Sequence, residues 1–417
     1  MPRSVQVICL LLLPLLAGAW ENELLGHTKL RAVGQSYPQD SLYRDLLGSE
    51  ALDVSGDLRL NFESSTDRFS FDAAYQLIGA TGDNVRLGQT APPGSFVSFP
   101  SLPNDKRRWF DLTDIISESS DTVLLQRLDR LWVGYTSEKT VVRFGRQALS
   151  WGNGLFFAPM DLVNPFDPAA IDTEYKAGDD MLYLQYLRDS GDDVQGAYVV
   201  RRNLLTGDVD AADATAAVKY HGFAGEVEYD LLVAQDYDDA VLGIGGGRDI
   251  GGAVWRADVV VTRADNEAVW QFVTNLSYSW TWGGRNMSGA VEYYFDGFGQ
   301  HAGDYDPASL AGNPALVERL LRGETFNLGR NYLAGSVLIE MTPLWTLTPT
   351  ALVNLADPSA LLQLVTNYSL ADNMVLLASL NVPVGPNGSE YGGIDTGIPG
   401  LYLSSGPGLF AQFAWYF

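Results

Sequence analysis

The stretch Trp270–Trp282, WQFVTNLSYSWTW, divides cleanly by parity. Trp270, Phe272, Leu276, Tyr278, Trp280 and Trp282 form one set, and Gln271, Asn275, Ser277, Ser279 and Thr281 form the other. A period of two is the mark of a β-strand, because successive side chains leave the pleat on opposite faces. At ~3.3 Å per residue and a tilt of ~45°, such a strand rises ~30 Å, the depth of a bilayer's hydrocarbon layer. Its apolar set carries tryptophan near both ends, where the interfacial girdles of a membrane barrel lie. A soluble sandwich also alternates, but it seldom needs strands this long.

The pattern recurs along the chain. In LDVSGDLRLNF, Leu52, Val54, Leu58, Leu60 and Phe62 oppose Asp53, Ser55, Asp57, Arg59 and Asn61. FSFDAAYQL and GEVEYDLLV alternate in the same way, the second setting Val227, Tyr229, Leu231 and Val233 against Glu226, Glu228 and Asp230. Charges at alternate positions need water, so an apolar set facing lipid implies a wet interior. Eighteen strands are predicted, beginning near residues 26, 53, 67, 121, 140, 181, 194, 214, 224, 239, 250, 268, 286, 328, 345, 358, 373 and 406. Sixteen is the alternative count, because the tenth, in VLGIGGG, is glycine-rich and glycine weakens strand interiors. Connections that leave even-numbered strands are short, such as SSTD, SEKT, DSGDD, GGRN and ADNM. Every long insertion follows an odd-numbered strand: roughly 83–120, 151–180, 298–327 and 384–405. An even-stranded barrel with both termini on one side sorts its loops in this way. The predicted fold is therefore all-β: a single transmembrane antiparallel β-barrel of residues 20–417.

Composition agrees. The 417 residues are 46% hydrophobic and 12% aromatic, with 43 glycines. Residues 1–19 read as a signal peptide, with Arg3, the apolar run Val5–Leu16 and Ala17-Gly18-Ala19 before Trp20. The one cysteine, Cys9, lies in that peptide. The remaining chain has no disulfide, thiol nucleophile or cysteine-based metal site. With 51 acidic and 27 basic residues the net charge is −24, which excludes a nucleic-acid grip of the usual basic kind. His27, His221 and His301 are far apart in sequence, and no hydrolase, zincin or P-loop motif is present. The expectation is a non-enzyme without cofactor or metal; the acid clusters DVDAAD and DYDD read as solvated loops.

One segment breaks the alternation. SWGNGLFFAPMDLVNPFDP, residues 150–168, follows the fifth predicted strand and is too apolar for an exposed loop. Irregular backbone cannot face lipid at membrane depth, but it can line a water-filled cavity. The segment is therefore expected to fold inward and narrow the bore, presenting Trp151, Asn153, Phe156, Phe157, Asp161, Asn164, Asp167 and Asp172. The alternative is a packed cap outside the bore. The residues expected on the inner wall are Arg143, Arg146, Gln147, Arg127, Glu226, Glu228, Asp230, Asp53, Arg59 and Glu292. A bulge at Gly145 would turn Arg143 and Arg146 to the same face. With Arg127, Arg130, Arg201 and Arg202 they would make a basic ladder facing acids; equally, these arginines could pair with Asp129, Glu174 or loop acids. A short helix is expected within SLAGNPALVERLLRG, residues 309–323.

The run RFGRQALSWGNGLFFAPMDLVNPFDP resembles a segment of large porin-like outer-membrane families, including alginate-export-like porins, at Arg143, Gly145, Arg146, Gln147, Trp151, Gly152, Asp161 and Pro165. The resemblance spans about a tenth of the chain. It implies an eighteen-stranded Gram-negative outer-membrane barrel that passes solutes or polymer. Separately, GLFAQFAWYF, with Phe413, Trp415 and the terminal Phe417 on one face, resembles the signal by which bacterial outer-membrane proteins are recognised for insertion, which implies the barrel-assembly machinery as a partner. The acids of the inner wall argue against transport of an acidic polysaccharide. The expected function is a passive channel for small polar solutes or oligosaccharides, set among outer-membrane lipid and lipopolysaccharide, narrowed by residues 151–180 and mildly cation-preferring. The alternatives are an export conduit or assembly factor for a surface polysaccharide, and a barrel enzyme or adhesin.

Overall fold

The structure, a computed structural model, describes residues 20–90, 102–301 and 303–417. The predicted signal peptide lies outside the described residues. Twenty-one strands occur among these residues. They are β1 (Glu21–Ser36), β2 (Glu50–Ser65), β3 (Phe69–Gly82), β4 (Thr113–Glu118), β5 (Thr122–Thr136), β6 (Thr140–Gln147) and β7 (Asp179–Leu187). Then come β8 (Asp193–Val199), β9 (Thr215–Ala224), β10 (Val227–Asp236), β11 (Asp239–Ile250), β12 (Ala253–Ala264), β13 (Glu267–Trp282) and β14 (Arg285–Asp296). The last are β15 (Asn331–Thr342), β16 (Trp345–Asn354), β17 (Ser359–Ala371), β18 (Met374–Val384), β19 (Ile394–Asp395), β20 (Tyr402–Leu403) and β21 (Gly408–Tyr416). Each of the eighteen long strands pairs antiparallel with the next, and β21 closes onto β1 from His27↔Tyr416 to Gln35↔Gly408. The result is a closed eighteen-stranded antiparallel barrel. Closure leaves no free edge, so every strand N–H and C=O of the wall can be paired, as a membrane requires. No helix among the described residues is long and apolar enough to cross a membrane.

The two faces of the wall differ as the parity reading requires. On β13, Trp270 is 55% and Trp282 73% exposed, while inward-facing Val273 is fully buried and Asn275 is 3% exposed. Leu30, Leu52, Val233, Leu242 and Ile244 are likewise more than half exposed on the outer face. So much bare apolar surface is stable only against lipid.

All eighteen predicted strands are present, and even the glycine-rich tenth is a twelve-residue strand, β11. The rim that carries both chain ends has tight turns such as residues 66–68, 137–139, 283–284 and 372–373. The opposite rim carries the long connections. The expected single helix within 309–323 is instead two, α1 (Pro307–Ala311) and α2 (Pro314–Arg322), since Gly312 ends the first and Asn313 caps the second. Glu226, expected on the inner wall, is exposed in the tight turn between β9 and β10. Two residues suffice to reverse the chain there, so Glu226 belongs to neither strand.

The Gly145 bulge does not form. β5 and β6 pair without interruption from Thr136↔Val141 to Leu131↔Arg146. The register shift lies one strand away, where Ala74 and Tyr75 of β3 meet Arg130 and Leu128 and skip Asp129. Gly145 keeps a φ of +127°, and a Cβ there would lie 2.2 Å from the Leu131 carbonyl oxygen. Arg143 stays on the inner parity, its guanidinium 4.8 Å from the Trp132 ring centre. Arg146 shares the parity of Phe144, which is 43% exposed on the outer face, and so does not face the lumen. It is fully buried because residues 105–112 cover it. Its Nε donates to Asp180 at 2.9 Å, its Nη1 to Asp105 at 2.9 Å and its Nη2 to the Phe110 carbonyl at 2.6 Å. Trp109 and Phe110 stack at 4.7 Å and meet Phe144 edge-on, roofing the ion pairs with aromatic surface. The strand β4 then pairs with residues 123–127 of β5, where the short β6 has already left the sheet.

Candidate functional site

The connection from β6 to β7, residues 148–178, makes a circuit of the inner wall. The Trp151 Nε1 donates to Gln195 of β8 at 2.7 Å. Asn153 gives its backbone N–H to Asp258 of β12 at 2.7 Å, and its side-chain amide to Asp258 and to Asp230 of β10. Its carbonyl accepts from Asn275 of β13 at 2.9 Å. Glu292 of β14 accepts three successive backbone N–H groups, from Leu155, Phe156 and Phe157, at 2.5, 2.9 and 2.7 Å. Gln363 of β17 donates to the Ala169 carbonyl at 2.9 Å. Asp172 accepts from Lys29 and Arg31 of β1, at 2.8 and 2.9 Å. Glu174 lies 2.7 Å from the Lys29 Nζ and accepts from Tyr416 of β21. Tyr175 lies beneath the Arg59 guanidinium of β2, 4.1 Å from its ring centre, and Arg130 of β5 donates to the Lys176 carbonyl.

This contact set answers where the apolar side chains of the segment go. Trp151 and Met160 pack with Leu232, Val241 and Val260 of the wall. Phe157 stacks on Tyr294 at 4.7 Å and packs with Val273, Tyr332 and Leu352. The glycines of β11 make room for this. A Cβ on inward-facing Gly245 would sit 2.1 Å from Asp258 Oδ1 and 2.8 Å from Asn153 Nδ2. The residue type that made β11 look weak as a strand is what lets the segment approach the wall. Replacing Gly245 with valine is therefore expected to keep the barrel but release residues 148–178. Limited proteolysis reads this directly: the wild-type segment resists cleavage and the Gly245→Val segment is cut.

Several residues expected to meet solute serve the segment itself. Asp161 is buried and paired with Lys176 at 2.5 Å; burial pushes its carboxyl up to about 6 against the pull of that lysine. Asp167 caps a turn through the Ala169 N–H, and Asn164 adopts a left-handed φ of +50°. Asp172 is held below the usual carboxylate range, burial being outweighed by its bonds to Lys29 and Arg31. On the wall, Asp53 does not line the bore freely but receives the backbone N–H and side-chain amide of Asn84. Arg59, Arg127 and Arg130 converge on Asp129, at 3.0, 2.8 and 2.8 Å. Arg201 and Arg202 lie just beyond β8; Arg201 sits 3.3 Å from Asp179 and 3.7 Å from Asp236, and Arg202 donates to the Trp109 carbonyl. Glu228 lies 3.9 Å from Arg256, Asp230 is paired with Lys219, and Gln147 is buried on the inner parity. Sequence reading missed Lys29, Arg31, Lys176, Asp258 and Asn275. Each except Lys176 is a polar residue of an inward set, and that parity is the signal they offered.

A second tie joins the loops of the long-loop rim. Glu390, between β18 and β21, accepts from the Leu328 N–H at 2.8 Å, Tyr332 Oη at 2.6 Å and Asn354 Nδ2 at 2.7 Å. Burial pushes its carboxyl up to about 7. A folded-state pKa above the unfolded value means that the protonated form favours the docked loop. Docking is therefore strongest below about 4.5 and weakens as pH rises through about 7. Hydrogen exchange of residues 385–407, corrected for intrinsic rates, is expected to be faster at pH 8 than at pH 5.5. Glu390→Gln should remove the difference.

No protein-family model matches the chain, and no curated protein matches it in sequence. Solved structures do match in shape. OccK5 (OpdH) of Pseudomonas aeruginosa superposes with a TM-score of 0.55 at 10% identity, over 95% of this chain and 98% of that one. OccAB4 of Acinetobacter baumannii gives 0.54 at 10% identity with the same coverage. The BenF-like porin of Pseudomonas fluorescens Pf-5 gives 0.51 at 9% identity, over 95% and 98%. The fold is that of the eighteen-stranded outer-membrane porins. At such identities the likeness extends to the fold, and the chemistry of the bore has to be read from this chain's own residues.

Proposed function

We propose that the protein is a passive channel for small polar solutes in the outer membrane of a Gram-negative bacterium, with its bore set by residues 148–178. The observation that carries this reading is the circuit of bonds from that segment to β8, β10, β12, β13, β14, β17, β1 and β5. A segment tied on every side of a cylinder occupies its cross-section. It is held by charged and amide groups of the inner face, so thermal motion does not swing it clear. An apolar exterior fits lipid, and the porin-like shape supports passage along the axis. No covalent chemistry is needed; wall charge and segment geometry set what passes. The same circuit speaks against a polysaccharide conduit, which needs a wide, unobstructed lumen.

Ion preference follows from pairing. Of the inner-wall cations, Lys29, Arg31, Arg59, Arg127, Arg130 and Lys219 are each paired with a carboxylate, as is Arg201 just beyond β8, while Arg143 lies against Trp132. The chain carries an acidic excess of 24 charges. In planar bilayers under a KCl gradient, the purified protein is expected to open discrete steps with a K⁺ over Cl⁻ permeability ratio above one. Folded protein that inserts without opening steps would remove the channel reading; a ratio below one would remove the charge argument alone.

A further inference from the structure

On the long-loop side of residues 148–178, a solvent-open cleft lies between that segment and residues 319–327. Most charged groups of the cleft are matched. Asp239 pairs with Arg319 at 2.5 Å, Asp161 with Lys176 at 2.5 Å, and Asp236 accepts from Thr215 beside Arg201. Two polar atoms are not. Asn327 Nδ2 and Glu324 Oε1 are buried, and neither has a hydrogen-bond partner among the described residues. Asn327 as a whole is 4% exposed. The Glu324 Oε1 lies 3.9 Å from Arg322 Nη1, close enough for attraction but not for a bond. Buried polar groups left in this way carry a desolvation cost that a bound group can relieve. Beside them, Phe326 and Phe166 keep 40% and 38% of their surface exposed and line the same cleft.

We propose that this cleft is a saccharide-binding site. One sugar ring would stack its C–H face on Phe326 or Phe166 while neighbouring hydroxyls engage Asn327 Nδ2 and Glu324 Oε1. The argument is one of elimination by chemistry. An ionic solute would find the cleft's charges largely matched by their own partners. A purely apolar one would leave both polar atoms unpaired. A hydroxyl both donates and accepts, so neighbouring hydroxyls serve an amide donor and a carboxyl together. They serve Glu324 in either protonation state, which matters because burial and the nearby Asp236 push its carboxyl up to about 7. A nucleobase edge has a fixed donor and acceptor pattern and suits only one state. The assignment names a solute class for the channel reading and rests on it for its role in transport, but binding itself does not require conduction.

The test is saturation-transfer NMR on the full chain in detergent, with maltotriose as probe and uridine as rival. Wild-type protein is expected to transfer saturation to the ring C–H protons of maltotriose. Asn327→Ala and Phe326→Ala should each raise its Kd by about tenfold. Asn387→Ala, on the loop after β18 where it bonds Asp40, should leave the Kd unchanged. Heat-modifiability on gels establishes that each variant is folded. No transfer to maltotriose in the wild type, an unchanged Kd in both cleft variants, or tighter binding of uridine would each overturn the assignment. Maltotriose binding by a protein that conducts no ions would defeat the channel reading and leave this one standing. Conduction without binding would do the reverse.

Discussion

Removal of residues 153–172 is expected to raise single-channel conductance severalfold. The deletion is sterically mild. Gln147 and Asp179 are already paired partners across β6 and β7, and eleven remaining residues, 148–152 and 173–178, suffice to join neighbouring strands. The wall keeps its hydrogen-bonded ladder. What changes is the interior: Glu292, Asp258 and Asp230 lose the backbone and amide donors that now cover them, and Asn275 loses the Asn153 carbonyl to which it donates. Water replaces those donors, so the carboxylates regain hydration and the fold loses little. Cation preference should fall in the same variant, because the deletion removes Asp161, Asp167 and Asp172 and leaves Lys176 and Arg31 without the carboxylates that now match them. Conductance and reversal potential, measured together in planar bilayers, check both parts. Unchanged conductance would show that the segment does not limit the bore.

Arg146→Met is expected to cost about 3–5 kcal/mol of stability, the range for breaking a buried ion pair from one side. The guanidinium is fully buried and bridges Asp180, Asp105 and the Phe110 carbonyl. Without it, two buried carboxylates and a carbonyl lose their principal donor beneath the Trp109–Phe110 roof. A lower urea midpoint and a lower temperature of heat modification report the loss. Arg146→Met combined with Asp180→Leu should recover part of it, since an apolar pair of similar volume avoids the unpaired charge. The effect should appear in stability and not in conductance, because Arg146 shares the outward parity of Phe144. A selective change in ion preference with normal stability would instead place the side chain in the bore.

Much of the barrel was legible before any coordinates. Strand β13 carries its orientation in its own residues, because the pleat puts Trp270 and Trp282 on one face whatever surrounds them. The sorting of long and short connections was legible because antiparallel neighbours must return on alternate rims. The segment after β6 was recognisable as an oddity from its aromatics and prolines. Its partners were not recognisable. Arg146 sits in a strand whose parity predicts a face, yet the residues that cover it, Asp105 to Leu112, precede β6 by about thirty positions on a connection with no periodic pattern. Glu226 failed for a smaller reason: a two-residue turn leaves no margin for placing a strand end.

The sequence alone determined that this chain alternates along its length into strands with an apolar face and a polar, charged face, because period-two patterning is a local consequence of backbone geometry. Only the tertiary structure decided which inner-face groups hold the segment 148–178 and which are left to solvent. The Leu155 N–H and the Glu292 carboxylate are 137 residues apart in the chain. Their meeting depends on the register of every strand between them and on closure of the wall, which no local pattern encodes.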